Sequence, residues 1–239
     1  MSILRHPITM PALCASFATG LIAWKVDSGP VAALFFGVLA GAVFAVVTKR
    51  HAITRLRKGI GARPAHVGEF PRLHNTVDGL CLTHGMEQPV LSVIDSVSGN
   101  ALAMVGPQGA ELVLTTGAVD HLGLVELESL VAHLLVRCRE PGLRTETVRA
   151  GMGSMGILSG GANAIGRDRV LQTDFEGADL TRFPPGMQSA LRALVGLGSA
   201  VNAPSTTGAL WLLQPDGRTD AATSAHPPVV VRIDALGER

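Results

Sequence analysis

Two uncharged apolar runs open the chain. The first covers residues 7–24 and the second residues 29–47, which read GPVAALFFGVLAGAVFAVV. Each is close to the ~20 residues that a helix needs to cross a hydrocarbon core. Lys25, Asp27 and the Gly29-Pro30 pair make a short turn between them, so the pattern predicts a two-span transmembrane hairpin, with spans at about residues 7–24 and 29–48. A cleaved signal peptide accounts less well for the first run, because a second apolar run follows without a spacer. A hairpin buried in a soluble core accounts less well still, since both runs are apolar on every side.

Beyond residue 58 the period changes. In residues 69–84, Phe70, Leu73, Val77 and Leu80 recur at helical spacing, Pro71 suits the first turn and Gly85 the end. Residues 89–95 are strand-like, and residues 100–105 and 110–116 read as two more strands joined by Gly106-Pro107-Gln108-Gly109. Residues 122–139 predict a helix with Leu124, Leu127, Val131, Leu134 and Leu135 on its buried face, stopped by Pro141-Gly142. Residues 150–166 are uncharged and Gly-rich, which suits either a membrane-contacting or re-entrant piece or a loop. Helices follow at residues 167–180 and 184–197, then a loop at 202–208, a short apolar strand or turn at 210–213 and a polar loop at 216–225. A last helix opens at His226-Pro227-Pro228 and runs through Arg232, Ile233 and Leu236. The fold class is α+β, mainly helical. The pattern divides the chain into a hairpin with its basic flank (residues 1–58) and a domain with a small sheet (residues 59–239).

Charge orients the hairpin. Lys49, Arg50, Arg55, Arg57, Lys58 and Arg63 follow the second run, with no acidic residue before Glu69, and Arg5 precedes the first run. The positive-inside rule then places both termini and the main domain in the cytoplasm, on the inner (plasma) membrane. The basic run reads as an anchor at the anionic leaflet. A net charge of +1 over 239 residues gives no footprint for nucleic acid. Mean hydropathy is +0.34, apolar for a soluble protein of this length. Cys14, Cys81 and Cys138 form no CxxC and no disulfide framework, as in a reducing compartment.

Several fragments, in order, resemble the HtpX-like and CAAX-prenyl-protease-type membrane zinc metallopeptidases. These are the strand at residues 89–95 with Asn100-Ala101, Val113-Leu114-Thr115-Thr116-Gly117, and Glu126-Leu127-Glu128 with Val131-Ala132-His133. Thr181-Arg182-Phe183-Pro184-Pro185-Gly186 with Ala190-Leu191, then Leu210-Trp211 and His226-Pro227-Pro228 with Arg232-Ile233, complete the series. The resemblance covers most of the chain and implies a zincin-like domain whose HExxH helix carries two zinc-ligating His one turn apart and a Glu base.

The departures from that pattern fall at the metal. His133 stands at the first ligand, Leu134 at the base and Arg137 at the second ligand. The resemblance places the third ligand, a Glu four residues before an Asp, at Val170, with the Asp at Asp174. A second register would use Glu176 with Ala178-Asp179, with the wrong spacing and too close to Thr181. One imidazole does not hold zinc, Arg137 places a permanent cation where the metal would sit, and Cys138 lies five residues past His133, on another side of the helix. A Ser or Cys nucleophile scheme drawn from Ser129 or Cys138 with His84, His121, His133 or His226 has no geometry fixed by sequence.

The sequence therefore predicts a membrane-anchored pseudopeptidase without cofactor, acting as a binding, scaffold or accessory subunit. The alternative is an active membrane zinc metalloendopeptidase of membrane-protein quality control. Expected partners are membrane lipids, an integral-membrane protein and an extended peptide added to the strand at Asn100, Ala101, Leu102 and Ala103. At the former metal site two arrangements are open. In one, Arg137 pairs with Asp174 beside His133; in the other, Arg137 snorkels to solvent and Asp174 pairs locally.

Overall fold

A computed structural model describes residues 8–26, 29–153, 167–220 and 226–238. The apolar runs form α1 (Thr9–Lys25) and α2 (Pro30–Ile60). They pack antiparallel through small residues, with Gly20 facing Ala33 and Gly37, and Gly41 facing Ala12 and Ser16. A Cβ at Gly37 would lie 2.8 Å from the Ser16 carbonyl oxygen, so the backbones meet at a distance that only glycine permits. Of the described helices, only α2 is long and apolar enough by itself to cross a membrane.

α2 does not stop where its apolar run ends. It continues through the basic stretch to Ile60 and closes on Gly61 in the left-handed region at φ 69°. Ala52, Ile53, Leu56 and Ile60 are buried along this extension. Ile53, Leu56 and Ile60 belong to the main core, while Ala52 packs with Ile8, Val148 and Met152. One unbroken helix therefore runs through the expected division at residue 58.

The remaining helices are α3 (Pro71–His84), α4 (Thr116–His121), α5 (Leu124–Cys138), α6 (Leu143–Gly151), α7 (Arg167–Thr181), α8 (Pro184–Leu197) and α9 (Val229–Gly237). The strands are β1 (Arg63–Pro64), β2 (Val90–Ile94), β3 (Ala101–Gly106) and β4 (Gly109–Thr115). They form a small mixed sheet in the order β1-β2-β4-β3, with β2 parallel to β4 and the outer pairs antiparallel. Gly109, at φ 123°, lets the β3–β4 hairpin close tightly. The fold is mainly helical, as the periodicity indicates.

Three details depart from the sequence pattern. Residues 116–121 form a separate helix, N-capped by the Thr115 hydroxyl, which accepts from the Ala118 N–H at 3.3 Å. Leu124, expected on a buried face, is 63% exposed at the start of α5, whereas Leu127 to Arg137 are buried almost all round. α6 escapes the apolar pattern because Thr145, Glu146 and Thr147 are among its buried residues. Of the Gly-rich stretch, residues 154–166 lie outside the described residues, as do residues 221–225 of the polar loop.

Glu111 on β4 is a buried carboxylate inside the domain. It accepts from the Ser92 hydroxyl at 2.6 Å and pairs with Arg57 of α2 at 3.3 Å. A second tie is steric: a Cβ on Gly151 would stand 2.1 Å from the Ala52 carbonyl oxygen. Gly151→Ala is expected to push α6 off α2 and lower the stability of the intact, detergent-solubilised chain by about 1–3 kcal/mol, as overpacking does. Urea unfolding measures the loss; an unchanged midpoint would contradict the close contact.

Candidate functional site

α5 and α7 cross where a Cβ on Gly177 would lie 2.9 Å from the His133 Cα. This contact sets which face of α7 looks at α5. Val170, Thr173, Asp174, Gly177 and Ala178 are buried, whereas Glu176 is half-buried and Asp179 exposed. Asp174, four residues from Val170, thus reaches the α5 helix beside His133, while Glu176 and Asp179 lie on the outer side.

Asp174 is fully buried and contacts two cationic or titratable partners. Arg232 of α9 engages it through two hydrogen bonds, Nε to Oδ2 at 2.7 Å and Nη2 to Oδ1 at 2.8 Å, and its Nη1 donates to the Leu212 carbonyl at 2.7 Å. His133 Nδ1 lies 2.9 Å from Asp174 Oδ1, close but off the line of a well-formed hydrogen bond. Burial alone would raise the Asp174 carboxyl, but the charge and hydrogen bonds of Arg232, with His133, hold it down to about 2. Burial pushes the His133 imidazole down, outweighing the carboxylate beside it.

Both expected roles of Arg137 need correction. Its guanidinium neither pairs with Asp174 nor snorkels outward; it is buried and donates through Nη2 to the Ala209 carbonyl. Burial lowers it to about 10, against the favourable field of Glu140. Asp174 takes Arg232 instead, 58 positions along the chain. Arg232 lies on the buried stripe of α9 with Val229 and Leu236. An arginine on an apolar stripe requires a buried anion, and that is the signal by which the sequence could have identified it.

The cluster also pins the end of the 3-10 turn at Ser205–Leu210 and the residues that follow it. His226 Nε2 donates to the Trp211 carbonyl at 2.7 Å, so Ala209, Trp211 and Leu212 are each held by a side chain of the cluster. Trp211 forms an antiparallel bridge with Leu102, and the Leu212 N–H donates to the Ala101 carbonyl at 2.7 Å. Asn100 completes the seam. Its Nδ2 donates to the Ser199 and Leu213 carbonyls, and its Oδ1 accepts from the Ala101 and Leu213 N–H groups. The outer edge of β3 at Asn100, Ala101, Leu102 and Ala103 was expected to receive a peptide. At Ala101 and Leu102 that edge is occupied by the chain's own residues 211–213, and all four residues are fully buried.

Zinc is the metal that the resemblance implies. A catalytic zinc takes three protein ligands and leaves one position open. Here His133 and Asp174 are the nearest donors, Asp174 is already held by two arginine nitrogens, and the guanidiniums of Arg137 and Arg232 both raise the local positive potential at His133. Val170 and Leu134 offer no donor. These residues do not fit a catalytic zinc, and among the described residues no three His, Cys, Asp or Glu side chains are grouped to hold one. The carboxylate at Nδ1 is nonetheless the partner that ordinarily orients a metal-binding histidine.

No hydrolytic alternative assembles among the described residues. The Ser129 hydroxyl donates to its own helix at the Val125 carbonyl, and burial pushes the Cys138 thiol up to about 12, away from a reactive thiolate. His121 Nδ1 is bound to the Gly117 carbonyl oxygen at 3.0 Å, and His84, at the end of α3, lines a cavity with Cys138 but makes no hydrogen bond to its thiol.

No protein-family model matches the chain. Curated relatives named "Protease HtpX homolog" do. That of Dictyoglomus thermophilum is 28% identical over 223 aligned positions, covering 75% of this chain and 74% of the relative. That of Tropheryma whipplei is 29% identical over 220, covering 74% and 76%. That of Acidiphilium cryptum is 28% identical over 281, covering 98% and 96%. The chain is HtpX-like.

Removing one member of a buried ion pair is far more costly than replacing both. Arg232→Met strands the Asp174 carboxylate and is expected to cost about 3–5 kcal/mol, most of which Arg232→Met/Asp174→Leu recovers. Arg137→Met, which strands no anion, is expected to cost less than Arg232→Met; urea unfolding that reverses this order would contradict the assignment.

The cluster also predicts a pH dependence. Burial lowers His226 from its ordinary 6.5 to about 4, so its contribution is complete above pH 6.5 and is lost as pH falls toward 4, because the unfolded chain takes up the proton first. The full loss is about 3 kcal/mol; His133 shifts in the same direction. Unfolding at pH 7 and pH 5 should show the wild type losing more stability than His226→Gln, which retains a donor for Trp211. Equal losses would exclude His226 as the source.

Proposed function

We propose that this chain is a membrane-anchored, catalytically inactive HtpX-like protein that serves as a binding, scaffold or accessory subunit for an integral-membrane partner. α1 and α2 cross the inner membrane as a two-span hairpin, with both termini and the domain in the cytoplasm. The apolar side chains exposed around both helices support this, among them Phe17, Leu21, Trp24, Leu34, Phe35 and Val38. α1, at 17 residues, covers about 25 Å of a core of about 30 Å.

The observation that carries the reading is that, of the positions where the resemblance implies ligands and a base, only His133 offers a donor, while Val170 stands at the third ligand. Arg137 replaces the second imidazole, Arg232 holds the carboxylate beside His133, and hydrophobic Leu134 stands where a base would be. A missing general base alone typically costs 10²–10⁴-fold, before the metal's contribution is counted. The relatives' shared name makes proteolysis the competing reading. Zinc per chain in protein purified without chelator, with casein degradation measured alongside, separates the two. The proposal expects substoichiometric zinc and no chelator-sensitive cleavage; one zinc per chain with cleavage would overturn it.

A further inference from the structure

The extension of α2 beyond its apolar run has two faces. Ala52, Ile53, Leu56 and Ile60 turn inward and fasten it to the domain, and Arg57 is drawn toward the buried Glu111. Arg50, His51, Thr54, Arg55 and Lys58 are exposed on the other side. Arg50, Thr54 and Lys58 follow one another at intervals of four, and His51 and Arg55 form the adjoining row. No acidic residue occurs in the sequence between Asp27 and Glu69. Among the described residues, none of the side chains of Arg50, His51, Arg55 and Lys58 makes an ion pair.

We propose that this face is a docking surface for the headgroups of anionic phospholipids in the leaflet next to the domain. The inference rests on the membrane reading above and adds the lipid class and the residues that select it. Continuity supplies the placement: the same unbroken helix carries Val47 at the end of its apolar run and the cations immediately after it. Near that level Ile8, at the start of α1, packs with Ala52 and with Val148 and Met152 of the α6 region, so the domain is held close to the end of the hairpin.

Distance along the helix then grades the cations. At 1.5 Å per residue, Arg50 lies about 4 Å past Val47, Arg55 about 12 Å and Lys58 about 16 Å. An interfacial layer of about 5–7 Å contains Arg50 and His51. Arg55 acts from within a Debye length of about 8 Å beyond that layer, and Lys58 from its margin. Arg57, neutralised by Glu111, contributes least despite its position in the sequence. A basic segment used for nucleic acid would show no such ordering with depth.

The test uses the intact chain in vesicles of phosphatidylcholine mixed with phosphatidylglycerol, with the lipids retained on detergent extraction identified by mass spectrometry. The expected result is enrichment of phosphatidylglycerol, by about fivefold for each well-placed cation, abolished in about 1 M salt. Arg50→Gln should lower the enrichment most, Arg55→Gln less and Lys58→Gln least, whereas Arg139→Gln/Arg192→Gln leaves it unchanged. Thr54→Lys adds a cation to the same face and should raise it, so the answer does not depend on loss-of-charge variants alone. Equal enrichment in the Arg50→Gln/Arg55→Gln/Lys58→Gln chain, or none in the wild type, would overturn the proposal. So would salt-sensitive retention of duplex DNA by the solubilised protein that the same triple variant loses. A chain that does not enter these vesicles at all would instead overturn the membrane reading beneath it.

Discussion

A single buried carboxylate organises this domain. Asp174 sits on α7 with no exposure to water, which is tolerable only while cationic donors surround it. Arg232 provides two donors from α9, and His133 approaches from α5, so three helices meet on one side chain. Around it Arg137, Arg232 and His226 each hold a carbonyl of the segment that runs from Ala209 to Leu212. That segment in turn closes the edge of β3 at Leu102. Disturbing the carboxylate would therefore be felt from the helix crossing to the sheet edge.

A metal ion bound between α5 and α7 would perform the same mechanical task, joining two helices through ligands from each. The difference lies in charge and access. A catalytic site keeps a coordination position open for water, whereas this cluster spends its donors on carbonyls and on one carboxylate. The acid beside His133 is the kind of partner that orients a metal-binding histidine, and Arg137, Val170 and Leu134 stand where the resemblance implies ligands and a base. The hairpin is joined to this domain through α2, by Arg57 on Glu111 and by the close approach of Ala52 to Gly151.

Much of the fold was legible because it follows from periodicity. The apolar runs, α3, α5, α7, α8 and the β3–β4 hairpin all lie where hydrophobic spacing and turn residues place them. What failed was whatever depends on non-local partners. α6 is buried through threonines and a glutamate, which show no apolar period and take their place only when α2 and β3 are packed against them. β1 is two residues long and exists only because β2 accepts it. At the site, local spacing identified the face bearing Asp174 and His133, since both follow from helical geometry. It offered Arg137 as the ionic partner because Arg137 is one turn from His133. The true partner, Arg232, is distant in sequence, and only its place on the apolar stripe of α9 marks it. Leu124 misled for the opposite reason: its spacing suits the core, but at the first turn of α5 it lies past the edge of what α5 packs against.

In the proposed reading, ionic contacts and not a metal hold α5 to α7. Thermal unfolding of the intact protein, compared before and after exhaustive chelation and again with added zinc, tests it most directly, because any ligand bound to the folded state alone raises the midpoint by mass action. Coincident midpoints are expected in all three conditions. A midpoint that falls on chelation and is restored by zinc would contradict it.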